Sequence, residues 1–426
     1  MTEQKFTNTL YTNDNLFILN GMNSNCVDLI YLDPPFNSKR TYSAPIGSKA
    51  AGTSFKDMWT WQDVNDAYLD TLAVKYPSLT RYIATIGAIH SKAMMAYLTY
   101  MAQRLIEMHR VLKDTGSIYL HCDPTAGHYL KAVLDEIFGK NNFRNEIIWH
   151  YGQRTAFYKQ HFSRKHDTIL FYSKSDKSFF SNVSEAWDRE KFLSNRHDVL
   201  VDSDGQKYIW SDGGKKGRRY KRYVADVIKA GKPLDSVWDI PILNSASKER
   251  TGYPTQKPLA LLYRIIKASS NDGDIVFDPF CGCATTCVAA QQLGRKWIGI
   301  DIEKQAVGIL VERLSDDAGL FQDFVNTTIV PQRTDIKIEP PSASIKGRLY
   351  DEQKGLCNAC GNRFDIWNLE IDHIVPKAKG GGDYYENYQL LCGACNRTKG
   401  DRPMEYLRLK IKTREAALEN KIIFGE

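Results

Sequence analysis

Asp33, Pro34, Pro35 and Phe36 follow directly on an apolar, β-branched run, Val27-Asp28-Leu29-Ile30-Tyr31-Leu32. The run reads as a buried strand, and the two prolines stop it abruptly. Proline fixes φ and has no N–H, so the carbonyls beside the pair are left to accept hydrogen bonds from something else. Asp33 then stands at the carboxyl end of a strand, where open α/β sheets place their ligands. Phe36 adds an aromatic face. Carboxylate, bare carbonyl and ring together suit an exocyclic amino group on a flat heterocycle, which is the chemistry of a nucleobase.

Two further blocks carry reactive residue types. Ile275-Val276-Phe277 runs into Asp278-Pro279-Phe280-Cys281-Gly282-Cys283-Ala284-Thr285-Thr286, a tight turn before a helix, and the following strand closes on Asp301. Asp301 lies 23 positions after Asp278, close to the spacing at which a carboxylate meets ribose hydroxyls in nucleotide folds. Ala284 stands where a second glycine would be expected, so the turn is no dinucleotide fingerprint. Cys281, Cys283 and Cys287 lack a fourth partner and read as incidental thiols. Near the C-terminal end, Cys357-x-x-Cys360 and Cys392-x-x-Cys395 form two knuckles with the spacing of a structural tetrahedral zinc site. The gap between them exceeds that of a simple zinc ribbon. It holds Glu370-Ile371-Asp372-His373, a glycine run at 380–382 and Asn387, and Asn396-Arg397-Thr398-Lys399 follows the last cysteine.

The elements that must hold these blocks alternate. Leu10-Tyr11-Thr12 is a short strand, Asp14 a candidate helix cap or ligand contact, and Leu16–Met22 a short amphipathic segment. The stretch from His90 to Lys113 reads as a long helix with Met94, Leu98, Met101, Leu105, Met108 and Leu112 on one core-facing stripe. Strands at 116–121 and 145–150, with a helix at 126–138 between them, complete a βαβ pattern. Such alternation predicts an α/β fold with a mostly parallel sheet. Residues 41–90 form an aromatic insertion with Trp59, Trp61 and Tyr68, either a lid or an ordinary packed excursion. Between Gly213 and Lys232 there are eight Lys or Arg against one acidic residue, with Tyr220 and Tyr223 interleaved. That segment suits phosphate contact and stacking, against the alternative of a solvated charged helix. Residues 328–344 read as a linker.

At 426 residues with 42% hydrophobic content the chain has room for two or three domains. No apolar run reaches membrane-spanning length and no signal peptide opens the chain, so a cytoplasmic compartment is expected. Nine cysteines without an export signal argue for metal or free thiols over disulfides. A net charge of +7 mildly favours a polyanionic partner.

Asp33-Pro34-Pro35-Phe36, then Thr255-Gln256-Lys257-Pro258, then Asp278-Pro279-Phe280-Cys281-Gly282 closely resembles the β-class DNA amino-methyltransferases, over about residues 8–325. The resemblance implies a Rossmann-like domain that moves a methyl group from S-adenosylmethionine to adenine N6 or cytosine N4, with a target-recognition region at 145–252. It implies that Asp33 and the Pro34 carbonyl accept the amino hydrogens of a flipped base, that Phe36 stacks on that base, and that Pro35 belongs to the same catalytic motif. It implies cofactor contacts from Asp14, Thr255, Lys257, Asp278, Phe280, Gly282 and Asp301, with Asp301 on the ribose. Aspartate at the first motif position leans towards adenine. Methylation at cytosine C5 would need a Pro-Cys nucleophile, and an ATP-driven motor a phosphate-binding loop; the chain contains neither.

Residues 347–403 resemble the HNH endonucleases, a small zinc-stabilised ββα-metal fold. The resemblance implies His373 as general base, Asp372 and Asn396 on one divalent cation such as Mg²⁺, Asn387 orienting the His373 ring, and Arg397 or Lys399 on a phosphate. The alternative is a zinc module that clamps DNA around an inert His373. The expected organisation is a methyltransferase at 1–327, a linker at 328–344 and an HNH domain at 345–426. Double-stranded DNA is the expected partner, RNA a weaker one, and a homodimer is allowed. The pairing of activities suggests a bacterial or phage single-chain restriction-modification enzyme.

Overall fold

A computed structural model describes residues 8–36, 40–43, 54–57, 72–73, 75–152, 158–212, 218–244, 246–303, 305–318 and 324–424. Trp59, Trp61 and Tyr68, and the basic residues 215–216, lie outside these. A nine-stranded sheet organises the larger part. Its strand order is 237–239, 143–150, 166–173, 112–122, 27–32, 275–278, 296–301, 9–12 and 325–327. Every pairing is parallel except the two made by His166–Ser173, which runs antiparallel to both neighbours. The expected mostly parallel α/β sheet is what the chain forms.

Three neighbouring strands deliver the acids. Val27–Leu32, Ile275–Asp278 and Lys296–Asp301 lie side by side and parallel, so Asp33, Asp278 and Asp301 emerge at one edge. The strand Leu112–Cys122 flanks Val27–Leu32 on the other side, with Leu120 opposite Leu32. Buried apolar side chains on both faces explain why these strands read as near-continuous hydrophobic runs.

The long helix spans Lys92–Val111, capped by the Ser91 hydroxyl on Met94 N–H. Its stripe is buried as the periodicity predicts: Met94, Leu98, Met101, Leu105 and Met108 are all under 2% exposed. Each such side chain contributes roughly 1.5–3 kcal/mol over an exposed one.

The structure departs from the sequence reading between 151 and 252. His166–Ser173 is a full sheet strand, and within the basic stretch Arg219–Tyr223 is a strand. Arg219–Tyr223 pairs antiparallel with Lys207–Asp212 in a small separate sheet. Val224–Ala230 then forms a helix whose Val224 and Val227 pack with Ile209 and Phe192. Trp210 and Tyr220 stay about half exposed.

In the C-terminal part Leu369–His373 pairs antiparallel with Tyr388–Cys392, and the helix Gly393–Lys399 follows. This is a ββα unit around its own core of Ile345, Leu349, Leu369, Leu390, Leu391 and Leu407. The segment before it is not free of the sheet domain: Asn23 pairs with Thr334, and Asp335 accepts from Ser24 N–H at 2.8 Å. Among the described residues no helix is long and apolar enough to cross a membrane.

Candidate active site

A cavity of about 680 Å³ opens at the carboxyl edge of the sheet, within the range of small-molecule and cofactor pockets. Asp14, Asp33, Pro34, Pro35, Phe36, Thr255, Lys257, Asp278, Phe280, Gly282 and Asp301 all line it. The three sequence blocks, more than 240 positions apart from first to last, therefore share one chamber.

Asp33 is held from one side only. Lys257 Nζ donates to Asp33 Oδ2, and this lysine is itself 8% exposed. Asp33 Oδ1 is buried and has no hydrogen-bond partner among the described residues. A buried carboxylate oxygen without a donor is costly, and it leaves Asp33 with accepting capacity that the described residues do not use. Phe36 lines the same chamber, with Lys257 Nζ 5.7 Å from its ring centroid. The expectation for Lys257 was a cofactor contact; the structure sets it on Asp33.

The turn after Ile275–Asp278 is held by acids. Asp278 accepts from Phe280 N–H at 3.0 Å and from the Thr286 hydroxyl at 2.5 Å. Burial, with the nearby charges of Asp33 and Asp301, raises its pKa to about 7. Asp301 accepts from Gly282 N–H and Glu303 N–H, both at 2.8 Å, and burial raises its pKa to about 6. Both Asp301 oxygens thus fasten backbone. Glu303, two residues on, also lines the chamber and was missed from the sequence.

Two non-glycine residues in this region take left-handed backbone, Thr255 at φ 63° and Ala284 at φ 56°. A β-branched residue there is a strained outlier, and such strain gathers at functional turns. Ala284 is the residue standing in for the expected glycine. Ala284→Gly is expected to raise the unfolding free energy by about 1 kcal/mol, since it removes a Cβ penalty of that order. Chemical denaturation of the two proteins measures it.

Asp14 caps the helix Asn15–Gly21, accepting from Leu16 N–H at 2.9 Å, and also takes Arg104 Nη2 at 2.9 Å. Arg104 is 4% exposed and binds Asn15, which in turn donates to the Pro279 carbonyl at 2.8 Å. The chain Arg104–Asn15–Pro279 ties the long helix to the turn. Sequence reasoning missed Arg104, although a charged residue on the face of an apolar stripe was the available signal.

The C-terminal unit holds a second constellation. The sulfurs of Cys357, Cys360, Cys392 and Cys395 lie within 4.8 Å of one another, and Cys357 Sγ accepts Cys392 N–H at 3.3 Å. Four cysteine sulfurs converging in this way fit a tetrahedral zinc ion. Cys281, Cys283 and Cys287 form no such group among the described residues.

Around His373 the expected contacts are redistributed. His373 Nε2 meets Asp383 Oδ1 at 2.8 Å, and Asp383 is also held by Lys377 and Tyr388. The hydrogen bonds of the Asn387 side chain go elsewhere than the ring. Its side chain bonds Val375 N–H, Val375 C=O and Gly382 C=O, so it closes the intervening loop and Asp383 orients the imidazole. Asp372 is 8% exposed, bonded by Gln389 at 2.8 Å and by Lys399 at 3.0 Å. Lys399 is 1% exposed and unavailable to a phosphate, whereas Arg397 is exposed. Asn396 donates to Glu370 at 2.5 Å. Asp372 and Asn396 are thus engaged with different partners.

Comparison with known proteins follows this geometry. A family model described as DNA methylase, of the N6/N4 type, matches residues 27–312, well over half of the chain. A model described as HNH endonuclease matches residues 357–402. The chain is similar to the type II methyltransferase M.EcaI of Enterobacter cloacae, at 31% identity over 278 residues, covering 56% of this chain and 61% of that protein. The chain thus spans about three fifths of the length of that relative. It is also similar to the DNA adenine methyltransferase YhdJ of Escherichia coli K12, at 27% identity over 306 residues, covering 72% of this chain and 82% of that protein. Among solved structures, M1.HpyAVI in complex with SAM aligns with a TM-score of 0.37 and 18% identity, over 72% of this chain and 98% of that one. The cytosine-N4-specific PvuII DNA methyltransferase aligns at 0.41 and 13%, over 76% and 96%. With a family model spanning most of the sheet domain and another spanning the ββα unit, the chain belongs to the N6/N4 DNA methylase family and carries a C-terminal HNH domain.

Proposed function

We propose that the chain transfers a methyl group from S-adenosylmethionine to adenine N6 within a specific duplex DNA sequence, and that its HNH unit cuts DNA. The observation that carries the first half is Asp33, which lines the same chamber as the Asp278–Thr286 turn and whose buried Oδ1 has no partner among the described residues. In this reading Asp33 Oδ1 and the Pro34 carbonyl accept the two amino hydrogens of an extruded base. That pulls the nitrogen lone pair out of ring conjugation and aims it at the methyl group. Phe36 stacks on the base. Asp278, Phe280 and Gly282 hold the cofactor turn, Asp301 secures it through Gly282 N–H, and Asp14, Thr255 and Lys257 line the rest of the chamber. S-adenosylmethionine supplies the methyl group and the positive charge that makes it electrophilic. Residues 1–327 are read as the transferase, 328–344 as linker and 345–426 as nuclease.

Long-read sequencing of DNA from cells expressing the chain tests this half, because it reports base, position and context together. A modified cytosine N4 in place of adenine N6 corrects the base, and unmodified DNA from a soluble, cofactor-binding protein rejects the reading.

For the second half, His373 with Asp383 supplies a base for water, and zinc at the four cysteines holds the unit. Asp372 would hold a divalent cation such as Mg²⁺ only after releasing Lys399, while Asn396, whose bond to Glu370 uses the amide nitrogen, could ligate through Oδ1. That lock favours a second reading, a zinc module that clamps DNA for the transferase. Matched plasmids, premethylated and unmethylated, incubated with Mg²⁺ decide between the two. Cutting of the unmethylated plasmid alone, lost in His373→Ala, supports restriction; intact DNA in every lane supports the clamp.

A further inference from the structure

We propose that His121 is a positioning residue for the extruded base: its imidazole backs one face of Phe36 and fixes that ring as a stacking platform. This rests on the reading of Asp33 and Phe36 given above. Leu120 pairs with Leu32 on the neighbouring strand, which sets His121 level with Asp33 at the carboxyl edge, behind the chamber-lining Phe36. The His121 and Phe36 rings are stacked, with centroids 5.9 Å apart and planes at 23°. Trp149 closes the imidazole edge at 5.5 Å and 84°, and His121 has no exposed surface.

Two hydrogen bonds fix the plane of that ring. Nδ1 lies 3.0 Å from the Tyr31 hydroxyl and Nε2 3.1 Å from Asp167 Oδ2. An ionised carboxylate only accepts, so Nε2 carries a proton. Burial opposes the charge on Asp167, but His121, Lys257 and His166 outweigh it and hold its pKa below the usual value. Burial and the charges of Asp33, Asp278 and Asp167 push the Tyr31 pKa far up, so the hydroxyl keeps its proton and donates to Nδ1. Turning the imidazole over would set carbon atoms against both partners. The ring therefore has one orientation, and Phe36 inherits it.

Phe36 lies beyond two prolines and is only partly buried, so its own packing does little to set its plane. A base stacked on a ring that is already held loses less freedom on docking. His121 touches neither the cofactor turn nor the amino group, and its contribution is to binding of the flipped base in ground and transition states alike. The expected signature is a higher KM for DNA with little change in kcat.

The test uses the full chain and two duplexes. The unmodified target found by sequencing gives KM and kcat, and the same target with 2-aminopurine at the methylated position reports base extrusion. The 2-aminopurine fluorescence rises when the base leaves the stack. His121→Gln keeps hydrogen-bonding atoms without the ring. We expect KM for DNA to rise roughly fivefold, the scale of one aromatic pair, and the fluorescence rise to need correspondingly more protein. Cofactor affinity, kcat and the thermal midpoint should stay near wild type. A folded His121→Gln protein with wild-type KM and full fluorescence overturns the inference, and so does a parallel loss of cofactor affinity and thermal midpoint. If that variant does not fold, Asp167→Asn, at a side chain 21% exposed, is read the same way with a smaller expected shift. Failure of the wild type to methylate the unmodified target duplex instead rejects the functional reading itself.

Discussion

Asp33→Asn is expected to lower methyl transfer by at least about a thousandfold, the scale of losing a preorganised charge at a reacting centre, while cofactor binding survives. The substitution keeps the shape of the side chain but replaces one accepting oxygen by a donor and removes the negative charge. In the native site Lys257 occupies Oδ2 and leaves Oδ1 open. An amide there can present its oxygen to only one group, and its NH₂ repels both a lysine and an incoming amino donor. The variant also leaves the Lys257 ammonium, 8% exposed, without its counter-ion. A fully buried pair broken this way costs about 3–5 kcal/mol, and partial exposure of Asp33 should reduce that to about 2 kcal/mol. Transfer of labelled methyl groups, equilibrium cofactor binding and thermal unfolding separate the effects. Transfer within about tenfold of wild type from the variant would show that Asp33 does not hold the amino group.

Stripping zinc with a strong chelator should unfold the C-terminal unit and leave methyl transfer standing. Structural zinc sites supply roughly 10–16 kcal/mol of apparent binding free energy, far more than a small core can replace. The core around Leu369, Leu390 and Leu391 is small, and two of the four cysteines sit beside the hairpin that carries Asp372 and His373. Without the ion, four sulfurs within 4.8 Å would be left to pack against one another. Zinc release measured with a chromogenic chelator, together with limited proteolysis, follows the unfolding. The expected products are an intact fragment extending to about residue 340, set by the contacts that tie Thr334 and Asp335 to Asn23 and Ser24, and a degraded tail. A tail that stays protease-resistant without zinc rejects the structural role of the four cysteines. Loss of methyl transfer in parallel would show instead that the two parts fold as one.

Much of this was legible beforehand because several local signals agreed. The strands Val27–Leu32 and Ile275–Asp278 lie where their apolar runs placed them, since each run ends in an acid followed by proline. The strand His166–Ser173 was equally apolar and equally readable. It lies outside the βαβ alternation that local pattern reveals, entering the sheet antiparallel between Leu112–Cys122 and Phe143–His150. The hairpin at 207–223 was obscured for a different reason. Its charges and tyrosines suit a helix face or a strand, and only the pairing of Tyr208 with Tyr223 and Trp210 with Lys221 decides between them.

From order and spacing alone came the acids at strand ends, the two cysteine knuckles and the family resemblance, because each depends on residues close together in the chain. Tertiary structure decided the partners: Lys257 on Asp33, Arg104 beneath Asp14 and Asn15, Asp383 and not Asn387 on His373, and His121 behind Phe36. Those pairings join residues up to 224 positions apart or sit inside loops whose backbone direction no local preference fixes. A side chain's chemistry is written in its type, but which charge neutralises it and which ring covers it depend on how the sheet brings distant strands to a common edge.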